Sequence, residues 1–187
     1  MSTVCFNTSF AHEYELEQDI ELCGLDPRVF YYPGATRSGG RDGIIIRLQP
    51  TGSDTWIGVF KFGYASPKAI NGLFSCPSAR HLCVVSSGAG YIVDVNQPEL
   101  WKGLPFMPIC YAAPVPELGL LVFADFTTLF AYGTRGAAWT SPKLSWDGIE
   151  ITRITSKQIS GRGWDAPANR EAEFTIDTGT GHICTYQ

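Results

Sequence analysis

The chain has 187 residues, of which 44% are hydrophobic and only 17% charged, a balance that excludes a disordered segment or a coiled coil. Its net charge is -4 and it holds no basic block, so neither nucleic acid nor an anionic membrane is an expected partner. Twenty glycines, 12 prolines and 13% aromatic residues point instead to many turns between strands that present large side chains, and so to a β-dominated chain.

Residues 1–18 carry no positive n-region and no apolar h-region, so no signal peptide is expected. No later run reaches the roughly 18 apolar residues that span a bilayer. The six cysteines, Cys5, Cys23, Cys76, Cys83, Cys110 and Cys184, are scattered without a CxxC pair. Without an export signal they read as reduced, mostly buried thiols of a cytoplasmic protein, and knuckle spacing for zinc is missing.

Residues 11–23 allow two readings. Ala11, Leu16, Ile20 and Cys23 share a helical face, with Gly24 as a stop before Asp26-Pro27. Alternation of Glu13, Glu15, Glu17, Asp19 and Glu21 with Tyr14, Leu16, Ile20 and Leu22 favours a strand. A short apolar strand follows over 29–32. Residues 33–42 (PGATRSGGRD) form the clearest loop, and Arg37 and Arg41 give it the look of an anion-binding rim. Strands are expected at 43–48 and 55–62, around the turn Gly52-Ser53-Asp54.

Ser66-Pro67 opens like a short helix, with Ser66 as N-cap and Pro67 at the first helical position; residues 96–101 open another by the same logic. Between them, 82–86 and 91–95 read as a hairpin around Ser87-Gly88-Ala89-Gly90. That Gly-x-Gly lacks the third glycine and the helix of a dinucleotide fingerprint. A strand at 109–113 and the stiff Pro114-Val115-Pro116 lead into 118–165, the longest stretch where apolar pattern and turn chemistry agree.

Within that stretch Asp147-Gly148 is a favoured type I′ pair, which predicts Trp146 facing Ile149 and Leu144 facing Ile151. The alternation then slips, which predicts a bulge at 152–154. Glu150, Asp147, Asp125, Asp165 and Trp164 join Trp139 and Trp146 as candidates for an open face of carboxylates and aromatics, the pattern of sugar-binding surfaces and of ordinary core packing alike. The turn-rich segment 161–166 adds Arg162, Trp164 and Asp165 as the exposed side chains of a binding loop.

In the tail, Phe174-Thr175-Ile176-Asp177-Thr178-Gly179 has the residue types of an aspartic-protease strand end, but a second Asp-Thr-Gly is absent and the strands that wrap such a loop do not follow. The plain reading is a strand and a Gly turn. His81 stands two before Cys83 and His182 two before Cys184, so on strands each pair shares a face.

Gly90-Tyr91-Ile92-Val93-Asp94-Val95 leading to Trp101 matches Leu129-Phe130-Ala131-Tyr132-Gly133 leading to Trp139, the two tryptophans standing about 38 residues apart. Residues 174–181 give a partial third copy without Trp. This pattern resembles the blade repeats of PQQ-type β-propellers, in which a strand, a turn with Gly and a Trp recur. The resemblance covers three short pieces. It implies a small propeller as the alternative fold, and it carries over no quinone-site residues, so it implies no cofactor.

The expectation is therefore one all-β domain over 1–187: about a dozen mostly antiparallel strands, sandwich-like or barrel-like, with two short helical segments. No nucleophile–base arrangement, phosphate loop or metal set is legible. A non-catalytic soluble protein that binds a protein partner or small ligand through its loops is expected, with Arg162, Trp164, Asp165, Arg37 and Arg41 as binding residues. The alternative is a hydrolase in which Asp165, Asp177 and His182 converge in the fold.

Overall fold

The computed structural model describes residues 4–18, 20–22 and 28–187. They form an all-β chain of mostly antiparallel sheets with seventeen strands among the described residues. Cys23, Gly24, Asp26 and Pro27, the proposed end of an early helix, lie outside the described residues. The chain divides into two compact units, residues 1–108 and 109–187.

The first unit contains β1 (Phe6–Asn7), β2 (Tyr14–Gln18), β3 (Val29–Tyr32), β4 (Gly43–Pro50), β5 (Trp56–Lys61), β6 (Gly72–Ser75), β7 (His81–Ser86), β8 (Ala89–Asp94) and β9 (Gln97–Gly103). One sheet runs β2-β4-β5-β3 and the other β1-β6-β7-β8-β9. Among the described strands only β3 with β5 and β1 with β6 pair in parallel. The strand reading of 13–22 holds over 14–18, where Tyr14 is buried, Leu16 half-buried and Glu15 and Glu17 face out; Ile20, Glu21 and Leu22 are not part of a strand. In β4 the same alternation puts Ile44, Ile46 and Leu48 inward. These side chains share a core with Phe30, Tyr32, Trp56 and Phe60 on one sheet and Leu73, Leu82, Val84, Tyr91 and Val93 on the other. Polar tips within the core are satisfied by backbone, as burial demands. Trp56 Nε1 donates to Val95 O at 2.8 Å, Ser86 Oγ to Phe60 O at 2.8 Å, and Tyr32 Oη to Pro98 O at 2.7 Å.

The second unit holds β10 (Tyr111–Val115), a 3-10 turn (Pro116–Leu118), β11 (Leu120–Ala124), β12 (Leu129–Gly133), β13 (Gly136–Thr140), β14 (Ile149–Ile154), β15 (Gln158–Asp165), β16 (Arg170–Asp177) and β17 (Ile183–Tyr186). It makes two four-stranded meanders, β10-β11-β12-β13 and β14-β15-β16-β17. Val115, Leu120, Val122, Leu129 and Ala131 meet Leu144, Ile159, Phe174 and Ile176 in its core.

The faint sequence repeat has a structural counterpart. Its three copies lie on β8, β12 and β16, each the third strand of a successive four-stranded meander. Trp101 and Trp139 fall on the fourth strands, β9 and β13. A four-stranded antiparallel meander is the repeat unit that the blade resemblance implies.

Three expectations are corrected. Neither expected helix forms. At Ser66 the chain makes a single turn, closed by Ala69 N–H on Ser66 O at 3.1 Å. At Asn96 it turns on Asp94, whose Oδ1 accepts the Asn96 and Gln97 amides, and enters β9; Pro98 is tolerated there because β9 is an edge strand. The hairpin at Asp147-Gly148 does not form either. β14 pairs with β15 instead, because Ser145 captures the turn: its Oγ donates to Gly148 O at 2.6 Å and accepts the Trp164 amide at 2.9 Å. Leu144 points into the core as expected, but Trp146 faces out, 53% exposed. Finally, 161–166 is strand rather than loop up to Asp165. Its glycines are flat spots under close neighbours. A Cβ on Gly161 would lie 2.5 Å from the Phe174 ring and one on Gly163 2.7 Å from Leu144 O. The expected bulge is present, as a register shift between Ile151 and Arg153.

Candidate functional site

The candidate site is the open face of the sheet β14-β15-β16-β17. Its sidedness follows from the two-residue period of strands. On β15, Ile159, Gly161 and Gly163 are buried, so Ser160, Arg162 and Trp164 project from the other face. On β16, Ala172, Phe174 and Ile176 are buried, so Glu171, Glu173 and Thr175 project with them. Register then sets the rows: Arg162 stands between Glu150 and Glu173, Trp164 beside Glu171, and Ser160 between Arg153 and Thr175.

Arg162 is the hub. Its Nη2 donates to both Glu150 oxygens, at 3.1 and 3.0 Å, and its Nη1 lies 4.0 Å from Glu171. The hydrogen bond and charge of Glu150, then the charges of Glu171 and Glu173, push its pKa above the ordinary arginine value. Its Nε is buried and has no hydrogen-bond partner. Beside it a groove of about 360 Å³ is lined by Thr152, Ser160, Arg162, Glu173, Thr175, Thr185 and neighbouring backbone.

At the end of this face two Trp-Asp dipeptides lie side by side. Trp146 N–H donates to Trp164 O at 2.8 Å, and the Ser145 hydroxyl holds the Trp164 amide. Both indoles reach solvent, Trp146 53% and Trp164 37% exposed. Lys143 Nζ lies 3.0 Å from the centroid of the Trp146 ring, a cation–π contact.

Of the residues singled out from sequence, Arg162 and Trp164 are thus neighbours on one face, but on a strand. Asp165 belongs to the opposite parity, and its Oδ1 accepts the Ala168 amide at 3.4 Å in the turn. Arg37 and Arg41 belong to the first unit, on the exposed loop 33–42. Arg37 lies 6.0 Å from the centre of the Phe30 ring. Neither arginine lines the cleft of about 360 Å³ under that loop, which is walled by Tyr31, Val59, Lys61, Asp42 and the Gly39-Gly40 backbone.

The hydrolase trio does not converge as a set: Asp177 and His182 are neighbours, the Asp177 amide donating to His182 O at 2.9 Å, but Asp165 lies far from both. Asp165 pairs with Arg170 at one end of β16 and Asp177 with Gln158 at the other, roughly 23 Å apart at about 3.3 Å per residue. Asp177 braces its own turn: Oδ1 accepts the Thr180 amide at 2.8 Å and the Thr180 hydroxyl at 2.7 Å. The remaining open-face candidates are also structural. Asp125 caps the β11–β12 turn through the Thr127 and Thr128 amides. Trp139 Nε1 donates to Thr178 O at 3.0 Å, with Gly181 close against its ring. Among the described residues no three His, Cys, Asp or Glu side chains gather as metal ligands.

Sequence reasoning missed Glu171 and Glu173. The strand read at Phe174 begins earlier, at Arg170, and the alternation in Glu171-Ala172-Glu173-Phe174 puts both glutamates on its outer face; its pairing with the Arg162 segment was not legible.

No protein-family model and no curated protein sequence matches the chain. Among solved structures, the N-terminal domain of Nup159 matches with a TM-score of 0.40 at 14% identity, over 100% of this chain and 54% of that one. A chain from the structure of an S. cerevisiae dbp5 variant bound to nup159, a gle1 variant, ip6 and ADP matches with a TM-score of 0.39 at 14% identity, over 98% of this chain and 52% of that one. The chain therefore spans about half the length of the structures it matches, and at these scores the likeness carries no argument about function.

Proposed function

We propose that this chain is a non-catalytic protein of the cytoplasm that binds a partner protein, and that it does so through the open face of β14-β15-β16-β17. The expected binding loop is replaced in this reading by a rigid strand surface. One observation carries it: Trp164 reaches solvent from a row of charges on a sheet face, and the backbone beside it carries a second exposed tryptophan, Trp146. Each partly exposed indole leaves apolar surface in water that a partner could cover, and Trp beside Arg is the composition of interface anchors. The separation of Asp165 from Asp177 speaks against the hydrolase alternative, and the buried Cys76 and Cys83 thiols fit a reducing compartment. Among the described residues no helix is long and apolar enough to cross a membrane.

The test is selection of a displayed random-peptide library on the immobilised full chain, repeated with Trp146→Ala/Trp164→Ala. Clones that bind the parent and lose at least tenfold in affinity on the double variant support the reading. A library that returns no clone dependent on these tryptophans sinks it.

A further inference from the structure

We infer that the partner segment seated on this face is an extended peptide rich in arginine or lysine; the inference rests on the docking reading above and names its chemistry. The central row opposes Glu150, Glu171 and Glu173 to Arg162. Arg153 adds one positive charge on the same face and Asp177 one negative; with Lys143 against Trp146 at its end, four carboxylates stand against three cations, so the face is acidic by one. Arg162 is already neutralised by both oxygens of Glu150, so it is not available to an incoming carboxylate or phosphate. Glu173 and the hydroxyls of Ser160, Thr175 and Thr185 line the groove beside it and offer acceptors to a guanidinium or ammonium.

The indole of Trp164 favours the same occupant. One face of the Trp146 ring is already covered by an ammonium, Lys143 Nζ, at 3.0 Å, so that ring face is taken. Trp164 stands next to Glu171 in the sheet, so a cation over its face would meet a carboxylate as well as the ring quadrupole. A basic peptide therefore finds salt-bridge partners in the middle of the face and an aromatic platform, Trp164, at its end, whereas an acidic peptide or a nucleic acid meets repulsion.

The experiment uses the full chain and a labelled decapeptide of alternating arginine and serine, followed by fluorescence anisotropy and by quenching of the intrinsic tryptophan emission. Its glutamate–serine counterpart and a neutral hexasaccharide are run beside it. The basic peptide should bind and quench, the other two should not, and affinity should fall as salt rises. Glu171→Gln/Glu173→Gln should weaken binding at least tenfold, while Glu13→Gln/Glu15→Gln, which removes exposed acids of the first unit, should leave it unchanged. Should the double variant not fold, Glu171→Gln alone is expected to weaken binding severalfold. Equal binding of the acidic peptide or the hexasaccharide, or unchanged affinity after loss of the two glutamates, overturns the inference. Library clones that need the tryptophans but carry no excess of arginine and lysine overturn it too, while leaving the docking face standing. Absence of any such clone removes the docking face itself.

Discussion

Asp177 is a carboxylate with a catalytic look that the fold uses as a brace. Hydrogen bonds from the Thr180 side chain and amide hold its pKa below the ordinary aspartate value. A depressed carboxylate adds stability above its unfolded pKa and loses that contribution as pH falls through the folded one. Asp177→Asn should therefore melt below the parent at neutral pH, and the gap in Tm should close as pH is lowered below about 4. A gap that stays constant into acid would show that the turn does not depend on the charge. The cysteines divide on similarly local grounds. Cys76 and Cys83 are buried, and burial pushes both thiols well above the ordinary value, whereas Cys5 and Cys184 are exposed. Alkylation at neutral pH, mapped by mass spectrometry, should label Cys5 and Cys184 in the native chain and reach Cys76 and Cys83 only on unfolding, since the thiolate is the reactive form.

Among the elements, the type I′ geometry expected at Asp147-Gly148 occurs elsewhere, at Ser87-Gly88, where φ is 45° and 75° between β7 and β8. Asn is favoured over Ser at such a first position, so Ser87→Asn should raise stability by a few tenths of a kcal/mol. Gly88→Ala should lower it by about 1–2 kcal/mol, the cost of an L-residue held left-handed. Urea denaturation of both variants checks the pair. The contrast also explains what was legible. Strand existence could be read wherever apolar alternation was strong, as in β4 and β16, or where a short apolar run stood between turns, as in β7, and the slip at Arg153 announced its bulge. Pairing could not be read at 143–149, because a single hydroxyl, Ser145, diverts the turn and gives the Trp146 amide to Trp164. Helix starts at Ser66 and Asn96 were misread because Ser-Pro and Asn-x-Pro chemistry opens a turn as readily as a helix. For the site, Arg162 and Trp164 were visible as residues, but their acidic surroundings depend on register with β14 and β16.

For the whole molecule, the single-domain reading of residues 1–187 predicts one calorimetric unfolding transition in the full chain, with calorimetric and van't Hoff enthalpies equal. Two resolved transitions would assign the units 1–108 and 109–187 separate cooperative lives. The recurring four-stranded meander has a further consequence, for the order in which the chain reaches its fold. In a meander every strand bonds its neighbours in sequence, so each closure spans a short loop and loses little chain entropy. The parallel pairing that brings Phe6 to Leu73 is different: it closes across most of the first unit and can form only after β6 has found β7. Pulse-labelled hydrogen exchange during refolding should thus protect the amides of β11, β12, β15 and β16 before those of β1, so the chain's first strand is expected to be among the last to arrive.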